Sequence, residues 1–213
     1  MTDGSRTRRR PAVSELDKTH RRDEIMAAAK IVFARNGFHA TTISDIAKES
    51  GLAYGSIYQY FGSKEDLFQA LMSAEGYALR THIAVALAAT GRRPDDSWEP
   101  FRAAVQATFE FFEADKASTK LLLRDSYALG DRFEKQLISI YERFIDDMAD
   151  HMAASQQRGM VISAPPRMVA YSLAALIGQL AHRRLSTDDG VTAAEVADFV
   201  VSLVVNGLRP RGT

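Results

Sequence analysis

The chain contains no cysteine. Disulfides, thiolate metal sites and a cysteine nucleophile are therefore excluded, and nothing in the composition calls for an oxidising compartment. Long apolar runs are missing too: none reaches the ~18 residues of a membrane span. The arginine-rich start, residues 1–10, is followed by no apolar core of the kind a secretory signal carries. A cytoplasmic location with no membrane partner is expected. The five histidines, at positions 20, 39, 82, 151 and 182, show no metal-ligand spacing. His-Glu-x-x-His, a nucleophile elbow and a glycine-rich phosphate loop are all absent. The expectation is a protein that is not an enzyme and holds neither metal nor cofactor.

Net charge is also lacking, with 27 basic against 27 acidic residues. The two signs are unevenly distributed. Residues 1–64 carry 11 positive and 7 negative charges, net +4; the remainder is net −4. Any polyanion would therefore be met by the front of the molecule.

What is present is helix signal after helix signal, with no credible sheet. Ile25, Ala28, Ala29, Val32 and Phe33 form an apolar stripe at helical spacing, stopped by Asn36-Gly37. Thr42-x-x-Asp45 is a capping-box start, followed by Ile43, Ile46 and Ala47 on one face and Ser50-Gly51 at the end. A second short helix fits Tyr54–Tyr60. Ser63-x-x-Asp66 opens a long one running to about Ala89. Beyond the turn-rich break at 91–100, helices are expected over about 98–114, 116–127, 131–159, 165–184 and 192–206. Nine helices and no strand make an all-α fold.

Two short helices joined by a tight glycine turn, over residues 42–61, have the size of a helix-turn-helix. A major groove admits one helix, so the second must be short, exposed on one face and held by the first. Leu52, Ile57 and Phe61 are expected to pack inward, leaving Tyr54, Gly55, Ser56, Tyr58 and Tyr60 outward. Three outward tyrosines are unusual on a merely solvated helix. Their hydroxyls suit phosphates and base edges. Gly55 weakens the helix by roughly 1 kcal/mol relative to alanine and lets the backbone approach a duplex closely.

The ordered run Thr41-Thr42-Ile43-Ser44-Asp45-Ile46-Ala47, then Gly51 to Phe61, then Ser63-Lys64-Glu65-Asp66-Leu67, closely resembles the DNA-binding signature of the TetR (tetracycline-repressor-like) family. With the first helix it covers about residues 20–70. The resemblance implies roles by position. Thr42 donates to a phosphate as well as capping its helix, and Ser44 reaches a base or phosphate. Tyr54, Gly55 and Ser56 stand at the base-reading start of the recognition helix. Tyr58 and Tyr60 match phosphate-binding positions. Lys64, at the start of the next helix, clamps a phosphate with help from the helix dipole. Arg8, Arg9, Arg10, Arg21 and Arg22 are further candidates for phosphate or minor-groove contact.

The domain division expected is a basic disordered arm at 1–17, a three-helix DNA-binding domain at 18–65, and a helical ligand-binding and dimerisation domain at 66–213. In the last, Phe101, Phe109, Phe112, Leu122, Tyr127, Phe133, Tyr141, Phe144 and Met148 are candidates to line a pocket between helices. Gln106, Arg124, Tyr171, Gln179 and His182 are polar groups set among apolar neighbours, which need partners if buried. The candidate ligand contacts are Gln106, Phe109, Arg124, Tyr127, Tyr141, Phe144, Met148, Tyr171 and Gln179. The small residues of 170–178 and the nearly all-round apolar last helix, with Val196, Phe199, Val200, Leu203 and Val204, resemble the four-helix dimer interface of the family. The implied protein is a homodimeric repressor of a palindromic operator, released by a small hydrophobic effector of fatty acyl or acyl-CoA type, with a drug-like or aromatic ligand as the rival class. The alternative is a ligand-independent DNA-binding or nucleoid-associated dimer with a solid second domain; cavity volume separates the two.

Overall fold

The computed structural model describes residues 15–91, 98–123, 130–159, 161–185, 187 and 190–208. Among them are nine α-helices and no strand: α1 (Glu15–Asn36), α2 (Ile43–Ser50), α3 (Tyr54–Ile57), α4 (Lys64–Ala89), α5 (Glu99–Ala114), α6 (Lys116–Leu123), α7 (Gly130–Gln157), α8 (Pro166–Arg184) and α9 (Ala193–Leu208). No helix among the described residues is long and apolar enough to cross a membrane.

Local chemistry sets the boundaries of the first elements. The Thr42 side chain accepts from the Asp45 amide while the Asp45 carboxylate accepts from the Thr42 amide, the reciprocal capping box expected from sequence. Gly51, at φ 67°, ends α2 in the left-handed conformation that a side chain disfavours. Its neighbour Leu52 then donates back to Ala47 O at 3.0 Å, which turns the chain into α3. Ser63 caps α4 by accepting from Asp66 N at 3.0 Å.

The apolar stripe of α1 packs against α2, α3 and the start of α4. Ile25, Ala29, Val32, Phe33, Ile46, Ile57, Leu67 and Phe68 are completely buried in this first core. Phe33 and Phe38 both meet the Phe68 ring edge-on at 5.0 Å. Each such large side chain contributes roughly 1.5–3 kcal/mol by leaving water. A second core joins α5, α8 and α9 through Val105, Phe109, Phe112, Leu173, Ile177, Val196 and Val200, with Met152 of α7. Ile145 and Ala149 of α7 and Ala170 of α8 form a smaller cluster. The short α6 belongs to both regions: Leu121 is fully buried in the first core, Leu123 packs against the second, and Leu122 touches both.

Two expected boundaries differ. The helix expected over 54–60 stops at Ile57 and continues as turns. Gln59 and Tyr60 bond back to the third preceding carbonyl, Ser56 O and Ile57 O, a tightening that carries Phe61 into the core. At the front, α1 starts at Glu15, inside the segment expected as a disordered arm to residue 17. Residues 1–14, with Arg8, Arg9 and Arg10, lie outside the described residues, as does most of the break at 91–100.

Candidate nucleic-acid interface and candidate effector cavity

Packing of α2 and α3 onto α1 leaves one face of the helix-turn-helix open to solvent. Thr42, Ser44, Tyr54, Gly55 and Tyr58 are all exposed on it, and Ser56 is half-buried. Tyr54 and Tyr58, one helical turn apart, are 55% and 44% exposed despite their size. Their rings meet at 5.3 Å and their hydroxyls lie 3.1 Å apart. The hydrogen bond with the Tyr54 hydroxyl raises the Tyr58 phenol above its ordinary pKa. A Cβ added at Gly55 would meet nothing within 4 Å, so no internal contact demands glycine there.

Three of the sequence-predicted residues are already engaged. The Thr42 hydroxyl donates to Asp45 Oδ2 at 2.7 Å, so a second acceptor would compete with that carboxylate. These Thr42 hydrogen bonds, from hydroxyl and amide, hold the Asp45 carboxyl below its usual pKa. Tyr60 is not fully outward; it is half-buried and packs against the first core. Lys64 reaches back to the α1–α2 loop, donating to Phe38 O at 2.9 Å and Thr41 O at 2.8 Å, with its ammonium 4.3 Å from the Phe38 ring centroid. Two of its three N–H groups thus tie α4 to the loop before α2, and one remains for an outside acceptor. Arg22 lies with its guanidinium 5.0 Å from the Phe61 ring, covering the end of the recognition segment.

The second region contains an apolar cavity of about 490 Å3 between α4, α5, α7 and α8. Its inner wall is made by buried Val105, Thr108, Met152 and Ile177. The Thr108 hydroxyl donates to Ala104 O at 2.7 Å, which removes its donor from the cavity and leaves the wall effectively apolar. Charged groups gather at the solvent side, where Arg80 of α4 and Asp147 of α7 pair at 2.7 Å and His151 is exposed. Apolar depth with a polar entrance suits an amphipathic molecule.

Of the ligand contacts expected from sequence, Phe144 and Met148 line this cavity. The others that are described lie elsewhere. Phe109 is buried in the second core. Gln106 belongs to an outer polar chain, accepting from Arg102 at 2.9 Å and donating to Glu110 at 2.7 Å. Tyr141 and Tyr171 pack together across α7 and α8 with centroids 6.1 Å apart, and the Tyr171 hydroxyl bonds Glu142. Gln179 is exposed. The side chains of Arg124, Tyr127 and Phe133 lie outside the described residues. A polar residue amid apolar sequence neighbours faces outward in these cases because successive helical residues point about 100° apart.

Sequence reading placed His82, Val85 and Leu87 of α4 beside the pocket and missed Tyr77, Arg80, Thr81, Ile83 and Ala84, which with Leu87 form one side of the cavity. The available signal was a helix too long for a simple connector and too apolar to be solvated throughout. Of the α4 residues expected beside the pocket, Leu87 lines it, whereas Val85 is 66% exposed and His82 stands 4.0 Å from Glu110. Among the described residues no group of three or more His, Asp or Glu side chains could hold a metal ion.

Comparison with known proteins agrees with this architecture. Residues 25–71 match the family model described as "Bacterial regulatory proteins, tetR family". Along most of its length the chain is similar to the HTH-type transcriptional activator FasR of Mycolicibacterium smegmatis, with 27% identity over 195 residues covering 92% of this chain and 86% of that protein. Its fold is like that of the fatty acid degradation regulator FadR from Bacillus halodurans, at TM-score 0.79 and 20% identity, covering 90% of this chain and 97% of that one. It is also like FadR from Bacillus subtilis, whose structure holds stearoyl-CoA, at TM-score 0.77 and 19% identity, covering 87% of this chain and 98% of the other. Residues 25–71, which hold the helix-turn-helix, thus match the tetR-family domain, and along most of its length the chain is similar to HTH-type transcriptional regulators.

Proposed function

We propose that the protein is a homodimeric repressor that holds a palindromic operator through two copies of α3 and releases it when a small hydrophobic effector occupies the cavity. Its effector is of the fatty acyl or acyl-CoA type, and it performs no catalysis. The observation that carries this reading is the 490 Å3 apolar cavity walled on one side by α4. A ligand-independent DNA-binding dimer has no use for such a space, since unfilled apolar volume costs packing energy. The relative whose structure contains stearoyl-CoA supports the chemical class.

The DNA contacts proposed are Thr42, Ser44, Tyr54, Gly55, Ser56, Tyr58, Tyr60 and Lys64. Tyr54, Gly55 and Ser56 stand where base edges are read, and the others position the backbone. Phe144 and Met148 contact the effector, joined by the α4 and α5 residues of the wall. The dimer is formed by α8 and α9, where Phe199, Leu203 and Met168 are 59%, 50% and 65% exposed while the opposite face of α9 is buried. Such outward apolar groups on two neighbouring helices suit an isologous four-helix contact.

Release follows from geometry. α4 runs unbroken from Lys64, which ties the loop before α2, to Leu87 in the cavity wall. A packed helix moves as a near-rigid body. Successive major grooves offer half-sites about 34–36 Å apart, so an occupant that tilts α4 spoils the fit of two recognition helices at once. The test uses a duplex selected by the protein from a randomised pool. Stearoyl-CoA releases the wild-type protein from it, whereas Ala104→Trp, which fills the cavity, binds the duplex and resists release. Equal release of both proteins would place the effector elsewhere.

A further inference from the structure

Lys30 of α1 holds its ammonium between carboxylates from two other parts of the fold. It lies 2.8 Å from Glu75 Oε1 on α4 and 2.6 Å from Asp115 Oδ2 at the α5–α6 corner. The Ser118 hydroxyl of α6 donates to the other Glu75 oxygen at 2.5 Å. The other oxygen of Asp115 accepts from the amides of Ala117 and Ser118 at 2.9 and 3.1 Å, capping the start of α6. Thr119 completes the corner by donating to Phe112 O at 2.7 Å, in the last turn of α5. Glu75 is only 9% exposed. It falls on the buried face of α4, at helical spacing from Phe68, Leu71 and Met72.

This arrangement is a costly way to gain stability. The burial lies at Glu75, while the Lys30 and Asp115 side chains are partly exposed, at 21% and 41%. For the buried Glu75 arm an apolar pair of similar volume often serves equally well or better, and the best-attested use of such an ion pair is to set register or to switch. α1 and α4 also meet α6 through an apolar cluster that includes the buried Leu121. Apolar contacts are non-directional and tolerate sliding. An ammonium shared between fixed carboxylate oxygens does not. The corner it grips is also the end of the helix that walls the cavity: α5 contributes Ala104, Val105 and Thr108 to that wall and ends at Asp115.

We propose that Lys30 is the positioning residue that couples the DNA-reading domain to the cavity, by fastening α1 to both α4 and the α5–α6 corner. Displacement of α5 by an occupant then reaches α1 through Asp115, in parallel with the route along α4. The meaning of this coupling rests on the regulatory reading above, but its measurement needs no effector. Burial acts against the Lys30 charge, and the hydrogen bonds to Asp115 and Glu75 outweigh it, raising the ammonium pKa and keeping the clamp charged.

The test is amide hydrogen exchange on the full chain, free and bound to the selected duplex. In the wild-type protein the duplex slows exchange at α2 and α3, and also at residues 112–123, by about tenfold, within the usual range of coupling between sites. In Lys30→Met the slowing is confined to α2 and α3. The double variant Lys30→Met, Glu75→Met leaves no unpaired buried carboxylate and guards against simple misfolding, which Trp98 fluorescence monitors. It gives the same confined pattern. A wild-type protein that binds a duplex without any change at 112–123 overturns the proposal, as does either variant that keeps the full change. A wild-type protein that binds no duplex at all removes the regulatory reading first, and the coupling with it.

Discussion

The two halves of this molecule present their chemistry in opposite ways. The helix-turn-helix carries its proposed DNA contacts in one short stretch of sequence, Thr42 to Lys64, for a partner whose shape is fixed. The second region forms a concave site, open on one side, whose walls come from four helices spread over residues 77–177. A displayed site needs particular side chains at particular spacings. A concave one needs only that helices diverge, and many apolar sequences satisfy that. In the proposed function, specificity in the first half resides in named residues, and in the second in a volume.

The comparison can be broken most strongly at the dimer face. Leu203→Arg leaves the monomer soundly folded, because Leu203 is half-exposed there. In the proposed dimer it buries an unpaired charge at a cost of about 3–5 kcal/mol. Sedimentation is expected to show monomers, with tight operator binding lost. A dimer that persists would put the interface elsewhere.

Lys64→Ala tests whether one displayed residue serves both inside and outside. Loss of two hydrogen bonds from a charged donor costs about 2 kcal/mol of stability, read in the urea midpoint. If the third N–H neutralises a phosphate, the slope of log affinity against log salt also falls by about 0.9. A destabilised protein with an unchanged slope would make Lys64 a tie and nothing more.

Gly55→Ala sharpens the contrast because two effects of opposite sign are expected. With open space around its Cβ, alanine raises stability by up to about 1 kcal/mol. Operator affinity falls, since a methyl group now stands between backbone and duplex. An affinity that rises with stability would show that the glycine faces no DNA. The smallest effect is expected from Tyr54→Phe, which removes one hydroxyl from the exposed pair with Tyr58. Affinity changes by about 1 kcal/mol, and a shift in preferred sequence, measured by selection, distinguishes base reading from phosphate contact.

Legibility in the sequence followed the same division. The capping box at Thr42, the glycine stop at Gly51 and the inward Ile57 and Phe61 were all readable, because each depends on neighbours within one or two turns. The bounds of α4 were readable from Ser63-x-x-Asp66 for the same reason. Phe144 and Met148 were found in the cavity because their spacing marks the buried side of α7. Gln106, Tyr171 and Gln179 were placed by composition alone, and helix rotation put them on outer faces. Lys30 and Asp115 were invisible as a pair, since 85 residues of chain separate two groups that meet at 2.6 Å. Only the packing of α1 against α6 brings them together.

The central claim is that cavity and operator are alternative partners of one protein. Linkage makes this measurable in a single quantity: if an occupant weakens DNA binding by some factor, DNA weakens the occupant's binding by the same factor. The direct measurement is the affinity of stearoyl-CoA for the wild-type dimer with and without saturating operator. The account predicts weaker binding in the presence of operator, by the same factor with which stearoyl-CoA lowers operator affinity. Equal affinities, for a ligand that Ala104→Trp excludes from the cavity, would contradict it.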